Sequence, residues 1–290
     1  MCIICNTSKD KLNKLTKLII NNCNNIIIIP SYLENLHTLE INNCSFIFNI
    51  PKLVNLKNIK IINCVNIIQI PNIINLEYIY IENSQLYELS EYYFNLKKLK
   101  LINCSIINKI PKLYKLQKLV LINCNNIIEI PLLKNLKKLI LNKCIKILII
   151  PQLLKLKYLM LNSCNNIYYF YDLPVLKELL IINCITITKI PRFNQLKYLT
   201  LHKCYSLNKL YKYIKLNILI ISDCPLINKL PLIYNLKELI IEDCISLKEI
   251  PNYKNLNKLY INNCLILEKI NINKKLEYCI INDCNNLLNY

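Results

Sequence analysis

The sequence predicts an all-β solenoid: a curved, right-handed parallel β superhelix. Its parallel sheet would be concave, with a convex return path of mostly extended or short 3₁₀ segments. Three observations predict it. A cysteine recurs every twenty residues from Cys44 to Cys284, with Cys23 leading by 21 and Ser84 in the one missing slot. A strict period of this size marks a repeat architecture, whose units bury their apolar faces only by stacking on one another. Short alternating runs such as Lys98, Leu99, Lys100, Leu101, Ile102 fall once per unit and carry the period of two that belongs to a strand. A proline holds one register in nine units: Pro30, Pro51, Pro71, Pro111, Pro131, Pro151, Pro191, Pro231 and Pro251. Proline breaks a helix and keeps the residue before it extended.

Along the 290 residues, 1–14 are a short N-terminal segment and 15–290 a single domain of about fourteen units. One unit reads Leu96, Leu99, Leu101, Cys104, Ile107, Ile110, Pro111, Leu113, and Leu116 starts the next, which is L-x-x-L-x-L-x-x-C-x-x-I-x-x-I-P-x-L-x-x. Counted from Leu96 as position 1, positions 4 and 6 face inward along the strand while 3, 5 and 7 face outward. Position 9 turns inward after the strand. A small cysteine or serine fits there and can donate to a neighbouring carbonyl, so Ser84 is tolerated. Positions 12, 15 and 18 return to the core, in a span too short and too proline-rich for a full helix. Glu91, Tyr171, Tyr211 and Asn271 replace the proline, and Ser90 stands where isoleucine is expected, so Ser84–Glu91 is expected to be the weakest interior stretch.

Composition bounds the chemistry. The chain carries 37 Lys and Arg against 18 Asp and Glu, for a net charge of +19, with no glycine and no tryptophan. Arg192 is its single arginine. The dominant Ile, Asn, Lys and Tyr share A/T-rich codons, so the composition is that of an A/T-rich genome such as a large DNA virus or a slime mould, and many lysines and asparagines are attributed to that bias. No apolar run reaches the ~18 residues a membrane helix needs, and residues 1–10 are too short and polar for a secretory signal. Sixteen cysteines, thirteen of them placed one per unit at an inward slot, read as buried thiols in a reducing compartment. An intracellular, cytoplasmic setting is therefore expected, with labelling limited chiefly to Cys2 and Cys5.

The pattern resembles the leucine-rich repeat family, whose units carry L-x-x-L-x-L-x-x-N/C. Leu96, Leu99, Leu101 and Cys104 match it, as do Leu116, Leu119, Leu121 and Cys124. The C-x-x-I-x-x-I-P continuation is similar to cysteine-bearing repeats of plant disease-resistance receptors. The resemblance implies a non-enzymatic scaffold for protein–protein interaction that binds a partner on the concave sheet. It brings no catalytic residues and no cofactor.

The candidate partner-binding residues are therefore the outward strand positions. Position 5 is apolar over a long run: Val120, Ile140, Met160, Leu180, then Ile220, Ile240, Tyr260 and Ile280, interrupted by Thr200. Tyr78, Tyr80, Tyr158, Tyr198 and Tyr278 add rings of the kind favoured at interfaces. Lys98, Lys100, Lys118 and Lys138 form a basic patch, and Glu178, Asp223, Glu238, Glu242 and Asp243 a more acidic one. A row of position-2 lysines beside the sheet (Lys57, Lys97, Lys137, Lys157, Lys177, Lys197, Lys237) supports a rival reading as a basic nucleic-acid-associated protein. The near absence of arginine weighs against nucleic acid. A third reading is a partnerless product of repeat expansion.

Enzyme signatures are missing from the sequence. Cys2-x-x-Cys5 has no second ligand pair for zinc, His37 and His202 are isolated, and a glycine-free chain holds no glycine-based phosphate loop. The last unit keeps Leu276, Ile281, Cys284 and Leu287 apolar without a polar cap, so self-association through the C-terminal end is expected.

Overall fold

A computed structural model describes residues 3–271 and 276–288, and it is a parallel β-solenoid with one coil turn per sequence unit. By the density of their internal contacts the residues fall into two compact units, 1–136 and 137–290. In the first, two short helices, α1 (Ile3–Asn6) and α2 (Lys9–Asn13), precede six strands. These are β1 (Lys17–Asn21), β2 (Thr38–Asn42), β3 (Asn58–Ile62), β4 (Tyr78–Glu82), β5 (Lys98–Ile102) and β6 (Lys118–Ile122). Each pairs in parallel with the next, in register with the twenty-residue unit, so that Leu39 lies beside Ile59 and Ile59 beside Ile79. Leu12 of α2 is buried alongside the first turn.

The second unit repeats the scheme with β7 (Lys138–Asn142), β9 (Tyr158–Asn162), β11 (Glu178–Ile182), β12 (Tyr198–His202), β13 (Ile218–Ser222), β14 (Glu238–Glu242), β16 (Lys258–Asn262) and β18 (Tyr278–Asn282), again parallel and in register. On the return side, two-residue strands pair as β8 (Ile149–Ile150) with β10 (Tyr169–Phe170) and β15 (Glu249–Ile250) with β17 (Lys269–Ile270). The proline slot explains where they form. Proline has no N–H to give a neighbour. Tyr171 and Asn271, which replace it, donate to Ile150 O at 2.9 Å and Ile250 O at 3.1 Å. The rest of the return path is extended, broken by single turns such as Leu116 N–H to Leu113 O at 3.1 Å; no 3₁₀ helix occurs among the described residues.

In the regular turns the inward positions are filled as the pattern requires. Leu99, Leu101, Cys104, Ile107, Ile110 and Leu113 are all buried. The cysteine column is buried from Cys23 to Cys264, and no disulfide is present among the described cysteines. From Cys44 to Cys264 each thiol closes a local ring, as in Cys64 Sγ to Ile62 O at 3.2 Å. The sulfur also accepts from the preceding turn, as in Cys44 N–H to Cys64 Sγ at 3.4 Å. Burial pushes Cys64 and Cys124 up to about 11 and Cys104 up to about 12. Such thiols stay protonated and inert at neutral pH. In β18 the inward residues Cys279 and Ile281 are not buried, unlike their counterparts in earlier strands. Cys2 lies outside the described residues.

The turn after β4 departs from the rule. Ser84 Oγ donates to Ile67 O and accepts from the Leu86 amide, both at 3.2 Å. This tighter bend brings Leu86 and Leu89 into the core one residue early, so Ser90 is not a core residue at all. Tyr93, buried in place of the usual leucine, restores the register by donating its hydroxyl to Ile70 O at 2.8 Å.

Candidate partner-binding face

The site begins with the residue that ends each strand. Position 8 is left-handed in every described turn, with φ between 49° and 53°. Most L-residues pay about 1–2 kcal/mol there, and asparagine is among the few that visit it routinely. In a chain without glycine, Asn22, Asn43, Asn63, Asn83, Asn103 and Asn123 fill the slot in the first unit. Their side chains join into a ladder, each Nδ2 donating to the previous Oδ1 at 2.6–3.0 Å. A second, interrupted series precedes several strands, where Asn55, Asn75 and Asn135 donate to the carbonyls of Glu34, Val54 and Tyr114 at 2.8–2.9 Å. These two series, one at each end of the strand, fix the height of the side chains between them. Sequence reasoning assigned the asparagines to codon bias; their fixed slot was the signal that could have found them.

In the first unit the outward face is a laced polar ribbon. Glu40 pairs with Lys17 at 3.1 Å and with Lys60 at 3.9 Å. Lys60 and Lys100 lie over the Tyr80 ring at 5.7 Å and 4.6 Å. Tyr80 donates its hydroxyl to Glu82, and burial together with that bond pushes the phenol up to about 12. Burial, then the charge of Glu40, raises Tyr78. Lys98 and Lys118 are in-register neighbours on β5 and β6. Val120 corrects an expectation: it points outward but is only 5% exposed. A short β-branched chain beside the longer Lys100 sits below the surface its neighbours make.

In the second unit the central outward row is apolar. Ile140, Met160, Leu180, Ile220, Ile240 and Tyr260 are half-buried beside one another, with Thr200 between Leu180 and Ile220. Lys138 lies over the Tyr158 ring at 3.8 Å, and Tyr158 is raised by burial and by Glu178. Tyr198 stands more exposed. A shallow polar groove of about 320 Å³ opens at the start of β12–β16 between Tyr198, Ile218, Glu238 and Lys258. Two members of the expected acidic patch lie beyond the strand face. Asp223 and Asp243 occupy left-handed position 8, off the sheet face, where they accept from Tyr205 at 3.1 Å and Asn263 at 2.6 Å. Their role is to hold turns.

Among the described residues no cluster of three or more His, Cys, Asp and Glu is placed to hold a metal ion. None of the helices among them is long and apolar enough to cross a membrane. No protein-family model matches the chain, and no curated protein sequence matches it. The solved structures it resembles are leucine-rich repeat proteins. One, from Bacteroides ovatus, is 16% identical over 90% of this chain and 81% of its own, with a TM-score of 0.45. YopM from Yersinia enterocolitica is 17% identical, covering 94% of this chain and 93% of its own, with a TM-score of 0.42. A leucine-rich repeat protein from Leptospira interrogans is 18% identical, covering 94% and 86%, with a TM-score of 0.37.

Proposed function

We propose that the chain is a non-enzymatic protein-interaction scaffold that takes its partner on the outward face of the sheet, in a compartment where its thiols stay reduced. The observation that carries this reading is the central row of the second unit. Ile140, Met160, Leu180, Ile220, Ile240 and Tyr260 stand side by side on a face that no other element covers among the described residues. Contiguous outward apolar rows rimmed by polar residues are characteristic of protein-binding surfaces. Lys138, Tyr158, Tyr198 and Lys258 supply that rim, and Tyr78, Tyr80, Lys98, Lys100 and Lys118 offer a more polar face in the first unit. The row favours a protein over nucleic acid, whose binding would draw on a continuous basic stripe.

The test is a comparative capture from cells of the native host. The full chain, a Leu180→Glu/Ile240→Glu variant and an Ile214→Ser control on the return side are used as bait. A partner retained by the first and third but lost by the second is expected. Equal capture by all three, or capture that collapses with salt and tracks nucleic acid, overturns the reading.

A further inference from the structure

We propose that the return side of the first unit holds a second site, which binds an extended, proline-rich peptide carrying basic residues. Three independent features meet there. The first is the only described turn in which serine replaces the buried cysteine, the Ser84–Tyr93 stretch. Its early bend lines a groove of about 640 Å³, and a second of about 650 Å³ adjoins it, sharing Glu91, Tyr92, Lys109 and Pro111 as walls. Local departures from an otherwise consistent pattern are where function is expected to sit.

The second feature is a column of exposed apolar side chains. Val54, Ile74, Phe94 and Tyr114 occupy one slot in four consecutive turns, and each is 44–60% exposed. Adjacent strands lie about 4.8 Å apart, so the column spans roughly 14 Å. A polyproline II chain rising about 3.1 Å per residue covers that distance in four to five residues. The column is rigidly mounted, because the second asparagine series grips its backbone at Val54, Ile74 and Tyr114. Tyr92 stands edge-on to Phe94 with centroids 5.9 Å apart, and this pair lies in the second groove beside Tyr114 and Pro131. Aromatic-lined grooves of this kind receive polyproline II segments, whose pre-extended backbone loses little entropy on docking.

The third feature is charge. Glu88, Glu91 and Glu129 line the grooves against Lys109 and Lys112, a local negative excess on a chain whose net charge is +19. That reversal selects a basic ligand over an acidic one. Nothing in this site is shared with the outward sheet face, so either surface can fail without the other.

The experiment titrates the full chain with three decapeptides, following binding by calorimetry. One is proline-rich with an Arg-Lys pair, one has its prolines changed to alanine, and one carries Glu-Glu in place of Arg-Lys. Saturable binding of the first is expected, with the other two weaker by about tenfold or more, a difference of about 1.4 kcal/mol. Tyr92→Ala/Phe94→Ala should weaken the first peptide by a similar factor, as should Tyr114→Ala alone. Glu88→Gln/Glu91→Gln should weaken it and flatten its salt dependence. All these side chains are at the surface, and far-UV circular dichroism checks that the fold persists. No saturable binding to the wild-type chain, equal binding of the Glu-Glu peptide, or unchanged affinity in the ring variants overturns the proposal. Leu180→Glu on the sheet face should leave peptide affinity unchanged.

Discussion

Replacing Asn103 tests the left-handed ladder most directly. Its φ is 53°, its Nδ2 donates to Asn83 at 2.6 Å, and its Oδ1 accepts from Asn123 at 2.6 Å. Asn103→Ala loses both bonds and leaves the left-handed region to a residue without the short polar side chain that lets asparagine visit it. The bonds are exposed, so each is placed at the low end of the usual range, about 0.5 kcal/mol. The backbone term for alanine is about 1 kcal/mol, giving a total near 2 kcal/mol. Asn103→Gly removes the same bonds but relieves the backbone, so it should lose only about 1 kcal/mol. Asn103→Asp keeps the acceptor and loses the donor, and should fall below both. The assay is urea unfolding followed by far-UV circular dichroism, with amide exchange at residues 101–105 as a local readout, since long repeat arrays need not unfold as one unit. Alanine no worse than glycine would refute the left-handed assignment. Glycine equal to wild type would show that the ladder contributes nothing.

Four further outcomes follow from the same geometry. Thiol labelling of native protein at pH 8, read by mass spectrometry, should modify Cys5 and Cys279 quickly and leave Cys104 through Cys264 intact. Rapid reaction at Cys124 would contradict the inward column. Burial raises the Cys64, Cys104 and Cys124 thiols from the ordinary thiol value to about 11 or 12. Their contribution is therefore whole below pH 9 and is lost as pH rises through 11 to 12, because the unfolded chain releases these protons first; an unfolding midpoint that does not fall between pH 9 and 11 would refute it. Amides of Ser84–Glu91 should exchange before those flanking Cys124, where the regular turn is intact, and uniform protection over 60–140 would count against a weakened bend. Lys203 holds φ 53° with a side chain that gains nothing from it, so Lys203→Gly should stabilise by about 1 kcal/mol, and a lower melting temperature would overturn that.

The architecture was legible because a twenty-residue period leaves little freedom. Once Leu99, Leu101 and Cys104 are known to recur in one register, parallel pairing and a stacked core are the only way to bury them. Three things escaped that logic. Asn63 and Asn83 looked like drift because mutation supplies the same residue that the backbone demands, and only the absence of glycine hinted that something else must occupy the left-handed slot. Val120 was placed correctly on the outward side, but periodicity gives direction and not height, and height depends on the length of neighbours such as Lys100. Asp223 and Asp243 were grouped with Glu238 and Glu242 by charge, although one residue along the chain separates a strand face from a turn.

Ser84 shows why an irregular turn can be more informative than a regular one. A cysteine there would keep its sulfur bonded to the strand it leaves, as Cys64 does to Ile62, and the bend would keep its usual length. A serine hydroxyl is smaller and a better acceptor, so it captures the Leu86 amide instead. The chain then reaches the core one residue early and regains its register at Tyr93. Between those two points Tyr87 is displaced from the core slot to the surface, where it joins Glu88, Glu91 and Tyr92 as groove walls. Ser84→Cys therefore probes both fold and site. Restoring the sulfur should weaken the early bend, narrow the first groove and reduce affinity for the basic proline-rich peptide, while the outward sheet face keeps its own partner. Unchanged peptide affinity, with the Leu86 amide still protected from exchange, would show that the bend is set elsewhere in the turn.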